Sequence, residues 1–225
     1  MFKTLKLLFH KKNSDIRRKV LFTLACLFIF IVGKTIPVPG TQGAISGLGL
    51  WELYDAISGG ALERFSIFSL GVMPYISASI ITGILQMDII PYFTELKEQG
   101  ATGRQKINQI NRYLGLGIAF LQGFGMAFAF VPNGGAMDYL QIAIILTAGT
   151  AFLLWLGDQM TQKGIGNGIS LLIMAGIISS IPNMFIETFQ SLVLGNDNLL
   201  IGIVSFVIFT LVYIGIIVGI VFIEK

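Results

Sequence analysis

Residues 50–87 constrain the chain most, because they are apolar enough to enter a bilayer yet cannot cross one as a single helix. The stretch opens with the amphipathic Leu50-Trp51-Glu52-Leu53-Tyr54-Asp55-Ala56-Ile57 and breaks at Ser58-Gly59-Gly60. Glu63 and Arg64 follow, then an apolar run from Phe65, then Gly71 and Pro74 ahead of the uncharged residues 75–87. Pro is tolerated in the first turn of a helix, where its missing N–H has no intrahelical partner. The pattern therefore predicts a short helix, a Gly hinge and a separate helix that starts near Val72. At 1.5 Å per residue, a helix over 72–87 spans roughly 24 Å, short of the ~30 Å hydrocarbon core. It is expected to begin inside the membrane. Non-helical backbone at that depth is tolerated only where protein or a water-filled cavity surrounds it, so the stretch points to a cavity.

With 54% hydrophobic and 12% charged residues, the chain reads as an all-α polytopic membrane protein. Its single cysteine, Cys26, lies in an apolar run, so no intrachain disulfide can form.

Residues 1–19 hold Lys3, Lys6, Lys11, Lys12, Arg17, Arg18 and Lys19 against Asp15, which suits a basic amphipathic arm on an anionic inner surface or a plain positive-inside signal. Residues 20–38 form the expected first span, too long for a signal-peptide core and with no cleavage site after it. Lys34 reads as a snorkelling cation at its far end. After the plug-like segment 50–64 and the half-helix 72–87, residues 88–112 read as a polar inner loop, and residues 113–130, 139–156, 169–186 and 199–223 as further spans. Of the 15 Lys and Arg residues, only Lys34 and Arg64 fall outside in this layout, so both termini are expected to be cytoplasmic.

Catalytic chemistry is poorly supported. The one histidine, His10, sits in the basic arm, and no HExxH, Cys-His pairing, phosphate-binding loop or nucleophile–base pair stands out, so no catalytic residue, cofactor or metal is expected. No span carries a charge at its centre, which argues against ion-coupled transport but not against a passive pore. Val72, Ile76 and Ile80 recur every four positions and share a helix face, and Ile169 and Ile173 repeat that spacing after Lys163-Gly164-Ile165-Gly166-Asn167-Gly168. Ordinary packing or lipid contact explains such spacing, as does a waist of branched aliphatics that seals by dewetting.

Gly59-Gly60-Ala61-Leu62, residues 66–80 (Ser66-Ile67-Phe68-Ser69-Leu70-Gly71-Val72-Met73-Pro74 and onward), Gly103-Arg104-Gln105-Lys106 with Asn111-Arg112-Tyr113, Leu146-Thr147-Ala148-Gly149-Thr150 with Trp155-Leu156-Gly157, and residues 164–170 together resemble the bacterial SecY family, in order and in register. That resemblance implies a SecY-like helical bundle, one half plus one helix of a pseudo-symmetric ten-helix channel for unfolded polypeptide. It implies a pore ring of Val72, Ile76, Ile169 and Ile173. It implies a plug containing Leu50, Trp51, Leu53, Tyr54, Ile57, Ser58, Gly59, Gly60, Ala61 and Leu62, and one side of a lateral gate containing Ile76, Ser79, Ile80, Gly83, Gln86 and Leu121. The implied partners are SecE, SecG, SecA, the ribosome, signal sequences and nascent polypeptides in the bacterial cytoplasmic membrane, without sequence-specific nucleic acid binding.

Two departures stand out. The family pattern Phe-Arg-Ile-Gly is Phe30-Ile31-Val32-Gly33 here, and the chain ends after its sixth expected span. It is therefore expected to pair with a C-terminal half or a second copy. The rival readings are a broken-helix secondary transporter, a non-catalytic membrane assembly or regulatory protein and, more weakly, an intramembrane protease.

Overall fold

The computed structural model describes residues 14–41, 65–87, 89–131, 134–195 and 199–224. The chain divides into two compact units, Met1–Ile177 and Ile178–Lys225. Helices run through both, and among the described residues the one β-type pairing is an isolated antiparallel bridge between Pro37 and Ser66. The helices are α1 (Ser14–Lys34), α2 (Met73–Leu85), α3 (Pro91–Glu98), α4 (Ala101–Phe130), α5 (Ala136–Lys163), α6 (Gly168–Phe189) and α7 (Leu199–Glu224). Among the described residues four stretches are long and apolar enough to cross a membrane: Ala101–Phe130, Ala136–Lys163, Gly168–Leu194 and Leu199–Ile223.

In the first unit α4 is the central post, with α5 and α2 packed along it and α3 folded back on its start, while α1 lies against α5. Small residues set these spacings. A Cβ on Gly123 would stand 3.3 Å from the Ala143 Cα, and one on Gly115 would stand 3.1 Å from the Tyr75 Cα. Such close approach lets dispersion and buried polar contacts hold helices together where no hydrophobic drive exists. Arg112 on α4 also forms an ion pair with Asp158 on α5.

In residues 65–71 the backbone is irregular and largely buried, and several of its polar groups are satisfied locally. Val38 N–H donates to the Phe65 carbonyl (2.9 Å) and Ile67 N–H to the Ile36 carbonyl (3.0 Å). Ser69 Oγ donates to the Ser66 carbonyl (2.7 Å), and Phe68 N–H donates to Ser66 Oγ (3.2 Å). Protein therefore encloses the non-helical backbone, as an apolar surround requires. Gly71, at φ +55°, turns the chain into α2. The helix starts with Pro74 in its first turn, and both Tyr75 and Ile76 N–H donate to the Val72 carbonyl at 3.1 Å.

Three boundaries differ from those expected. Residues 88–112 contain α3 and the first turns of α4 rather than a loop, and α5 continues to Lys163. Polar residues with good helix propensity extend these helices past the apolar segments that hydropathy marks. Lys34 does not snorkel outward. It is buried at the end of α1 with its ammonium 6.0 Å from the Phe30 ring centroid, a cation–π distance.

The second unit comprises the end of α6, a π-turn over Gln190–Leu194 and α7. Phe185 meets Phe206, Phe209 and Tyr213 edge-on at centroid distances of 6.3, 5.9 and 5.5 Å. Gly202 sits so close to the Leu192 carbonyl that a Cβ there would overlap it.

Candidate functional site

The two aliphatic pairs singled out by spacing lie on different helices, and two glycine-dependent turns deliver them to one place. Val72 and Ile76 follow the Gly71 turn. Ile169 and Ile173 follow the turn between α5 and α6, in which Gly166 adopts φ +70°. Asn167 caps α6 by accepting from Ile169 N–H (3.0 Å) and Ser170 N–H (3.3 Å) on its Oδ1. Thr161 Oγ1 accepts from Gly168 N–H (2.8 Å) and donates to the Gly157 carbonyl (2.9 Å), lacing the two helices together. A Cβ on Gly168 would overlap the Gly157 carbonyl, so the helices meet backbone to backbone. Ile165 N–H donates to Thr23 Oγ1 (3.2 Å), which ties the turn to α1.

All four residues join one apolar cluster. Val72 is buried among Cys26, Phe30, Phe68, Leu153, Leu156, Met160 and Leu172, and the half-buried Ile76, Ile169 and Ile173 pack against the same group. Val72 and Ile173 line a single narrow cleft with Phe30, Gly71, Met73, Leu172 and Gly176. Its volume is about 10 Å³, at the lower limit of what one water molecule needs (~10–15 Å³). No lining residue carries a charge.

The gate candidates are more dispersed. Ile76 belongs to the constriction cluster. Ser79 and Gly83 are half-buried, Ile80 and Leu121 are exposed, and nothing lies within 4 Å of a Cβ placed on Gly83. Gln86 Nε2 donates to the Thr82 carbonyl (3.0 Å). The plug candidates between 50 and 62 lie outside the described residues. Ile31, in place of the family's Arg, is exposed.

Sequence reasoning missed two features. Phe30 and Leu172 line the cleft, and the signal for Leu172 was its place three residues after Ile169. The hydroxyl of Thr82 on α2 donates to Asn111 Oδ1 on α4, both residues being buried. A Thr facing an Asn across adjacent membrane helices is a recognisable adhesive pair, though Asn111 stands among the polar residues 104–112 that hydropathy assigns to a loop. Among the described residues no group of three or more His, Cys, Asp or Glu is placed to hold a metal ion.

Comparison with known proteins bears on this geometry. The SecY family model matches residues 66–225. The protein translocase subunit SecY of Staphylococcus aureus strain NCTC 8325 is 48% identical over 200 residues, covering 83% of this chain and 46% of that protein. The protein of the same name from Staphylococcus epidermidis strain ATCC 35984 is 48% identical over 211 residues, covering 88% and 49%. The chain thus spans about half the length of these relatives. Among solved structures, one described as a protein conducting channel aligns with TM-score 0.56 at 20% identity, covering 84% of this chain and 40% of that one. Sec61 in a canine ribosome–channel complex from the endoplasmic reticulum aligns with the same score and identity, covering 84% and 41%. With the family model matching most of the chain and close to half of its residues identical to those relatives, the chain belongs to the SecY family.

Proposed function

We propose that this chain supplies the N-terminal side of a channel that passes unfolded polypeptide across a bacterial cytoplasmic membrane and releases membrane segments sideways. The observation that supports the reading is that Val72 and Ile173, carried on helices from separate turns, line one uncharged cleft of about 10 Å³. Val72, Ile76, Ile169 and Ile173 form this chain's share of the ring, and it opens by movement of α2 without burying a charge. Residues 50–62 serve as the plug, and α2 with α4, through Ile76, Ser79, Ile80, Gly83, Gln86 and Leu121, as one side of the lateral gate.

The remaining ring and gate belong to the half of the relatives' length that this sequence does not span. SecE and SecG are the membrane partners in this reading, and SecA or the ribosome delivers the substrate at the side carrying both termini. The positive-inside distribution of Lys and Arg supports that orientation.

Photocrosslinkers placed at positions 72, 76 and 169, against a stalled secretory nascent chain, test the reading in membranes with and without a C-terminal half. Crosslinks that require the added half are expected. Crosslinks without it would assign the pore to a symmetric dimer. None in either case would sink the ring and favour a membrane assembly factor instead.

A further inference from the structure

Phe68 lies four residues before Val72, in the irregular segment that leads into α2, and it is almost fully buried. Its ring meets a ring from each of two helices, at the edge of an apolar pocket of about 550 Å³ that Gly33, Gly149 and Phe152 also line. It stacks on Phe30 of α1 (centroids 6.2 Å apart, planes 14° apart) and on Phe152 of α5 (5.9 Å, 7°). Two glycines make room for this. A Cβ on Gly33 of α1 would overlap the Phe68 ring, and a Cβ on Gly149 of α5 would overlap the Ile67 carbonyl while standing 3.4 Å from the Phe68 ring. Phe68 also belongs to the cluster that contains Val72 and receives Ile76, Ile169 and Ile173. Between Phe68 and Val72 the chain has little slack, because Gly71 N–H donates to the Phe68 carbonyl (2.8 Å).

We propose that Phe68 is a positioning residue for the constriction: clamped between α1 and α5, it fixes how closely Val72 approaches Ile173. The inference rests on the constriction reading above and adds a residue that touches no substrate. Segment 65–71 is tied at its start to residues 36–38 by backbone bonds, and beyond Ile67 its buried side chains fix its location. Phe65 and Leu70 pack in a separate cluster, and Phe68 is the buried anchor of this segment that shares the cluster of Val72. Gly33 is bare because the ring occupies the space its side chain would take. A small-to-large change there forces the ring, and the Val72 turn behind it, away from α1.

The test is a disulfide reporter in the full chain, co-expressed with a C-terminal half and carrying Cys26→Ala. Val72→Cys with Ile173→Cys reports the waist, and Thr82→Cys with Asn111→Cys reports the distant contact between α2 and α4. Phe68→Ala is expected to slow waist crosslinking at least about tenfold while the reference pair forms as before, as loss of a buried aromatic anchor implies. Gly33→Ala is the sharper probe, because helix propensity alone makes this change favourable. It is expected to slow the waist pair as well. In the Phe68→Ala background, where the ring is gone, Gly33→Ala should add nothing.

Unchanged waist crosslinking in Phe68→Ala, or additive effects of the two substitutions, would overturn the proposal. So would equal loss of both reporter pairs, because Phe68 would then hold the whole unit rather than the waist. If the waist pair responds as expected but a photocrosslinker at 72 never captures a translocating chain, the positioning role stands and the channel reading fails.

Discussion

Thr82→Val removes the hydroxyl that α2 donates to Asn111 and leaves the Asn111 amide, only 5% exposed, without that partner. An unsatisfied buried polar group costs about 1–3 kcal/mol, so a loss of about 2 kcal/mol is expected. Asn111→Leu is milder, because Thr82 can turn its proton to the Ala78 or Ser79 carbonyl, each 3.1 Å from its Oγ1. That change should cost under ~1 kcal/mol. The double variant replaces both partners with apolar groups of similar shape and should sit close to wild type. The cycle therefore predicts strong non-additivity, with a coupling of about 2–3 kcal/mol, above the upper end of about 1.7 kcal/mol seen for hydrogen bonds between membrane helices. Equilibrium unfolding by SDS in mixed micelles, read by tryptophan fluorescence, measures each corner. Additive losses, or Asn111→Leu costing more than Thr82→Val, would refute the reasoning.

Three further substitutions probe how closely the helices pack and how α6 is capped. Gly149→Ala places a methyl against the Ile67 carbonyl, which is backbone and itself tied through its N–H to Ile36, so a loss of ~3 kcal/mol or more is expected. Gly117→Ala on α4 meets nothing within 4 Å and should leave thermal stability in detergent unchanged or slightly raised. Asn167→Ala strips the cap from α6 and should cost about 1 kcal/mol, with Asp restoring most of it; a full loss in the Asp variant would mean that Asn167 acts otherwise than through its Oδ1.

Where a local rule decided the outcome, the sequence was readable. The start of α2 was legible because Pro74 admits few places in a helix, and Gly71 before it marks the turn. The shared face of Val72 and Ile76, and of Ile169 and Ile173, was legible from spacing. That the two faces meet was not, because it depends on Gly157 and Gly168 touching across the α5–α6 turn, a contact between residues whose lack of a side chain carries no directional signal. The start of α4 was misplaced for a different reason. Arg104, Gln105, Lys106 and Asn108 are hydrophilic and helical at once, so hydropathy marks where the membrane begins and says little about where the helix does. Lys34 escaped because its neighbour Phe30, one turn back, offers a ring face that competes with water.

The bridge between Pro37 and Ser66 gathers two points of the chain that 28 intervening residues separate. Backbone hydrogen bonds flank it, Val38 N–H to the Phe65 carbonyl and Ile67 N–H to the Ile36 carbonyl, so the end of α1 and the approach to α2 form one mechanical piece and a displacement of either carries the other.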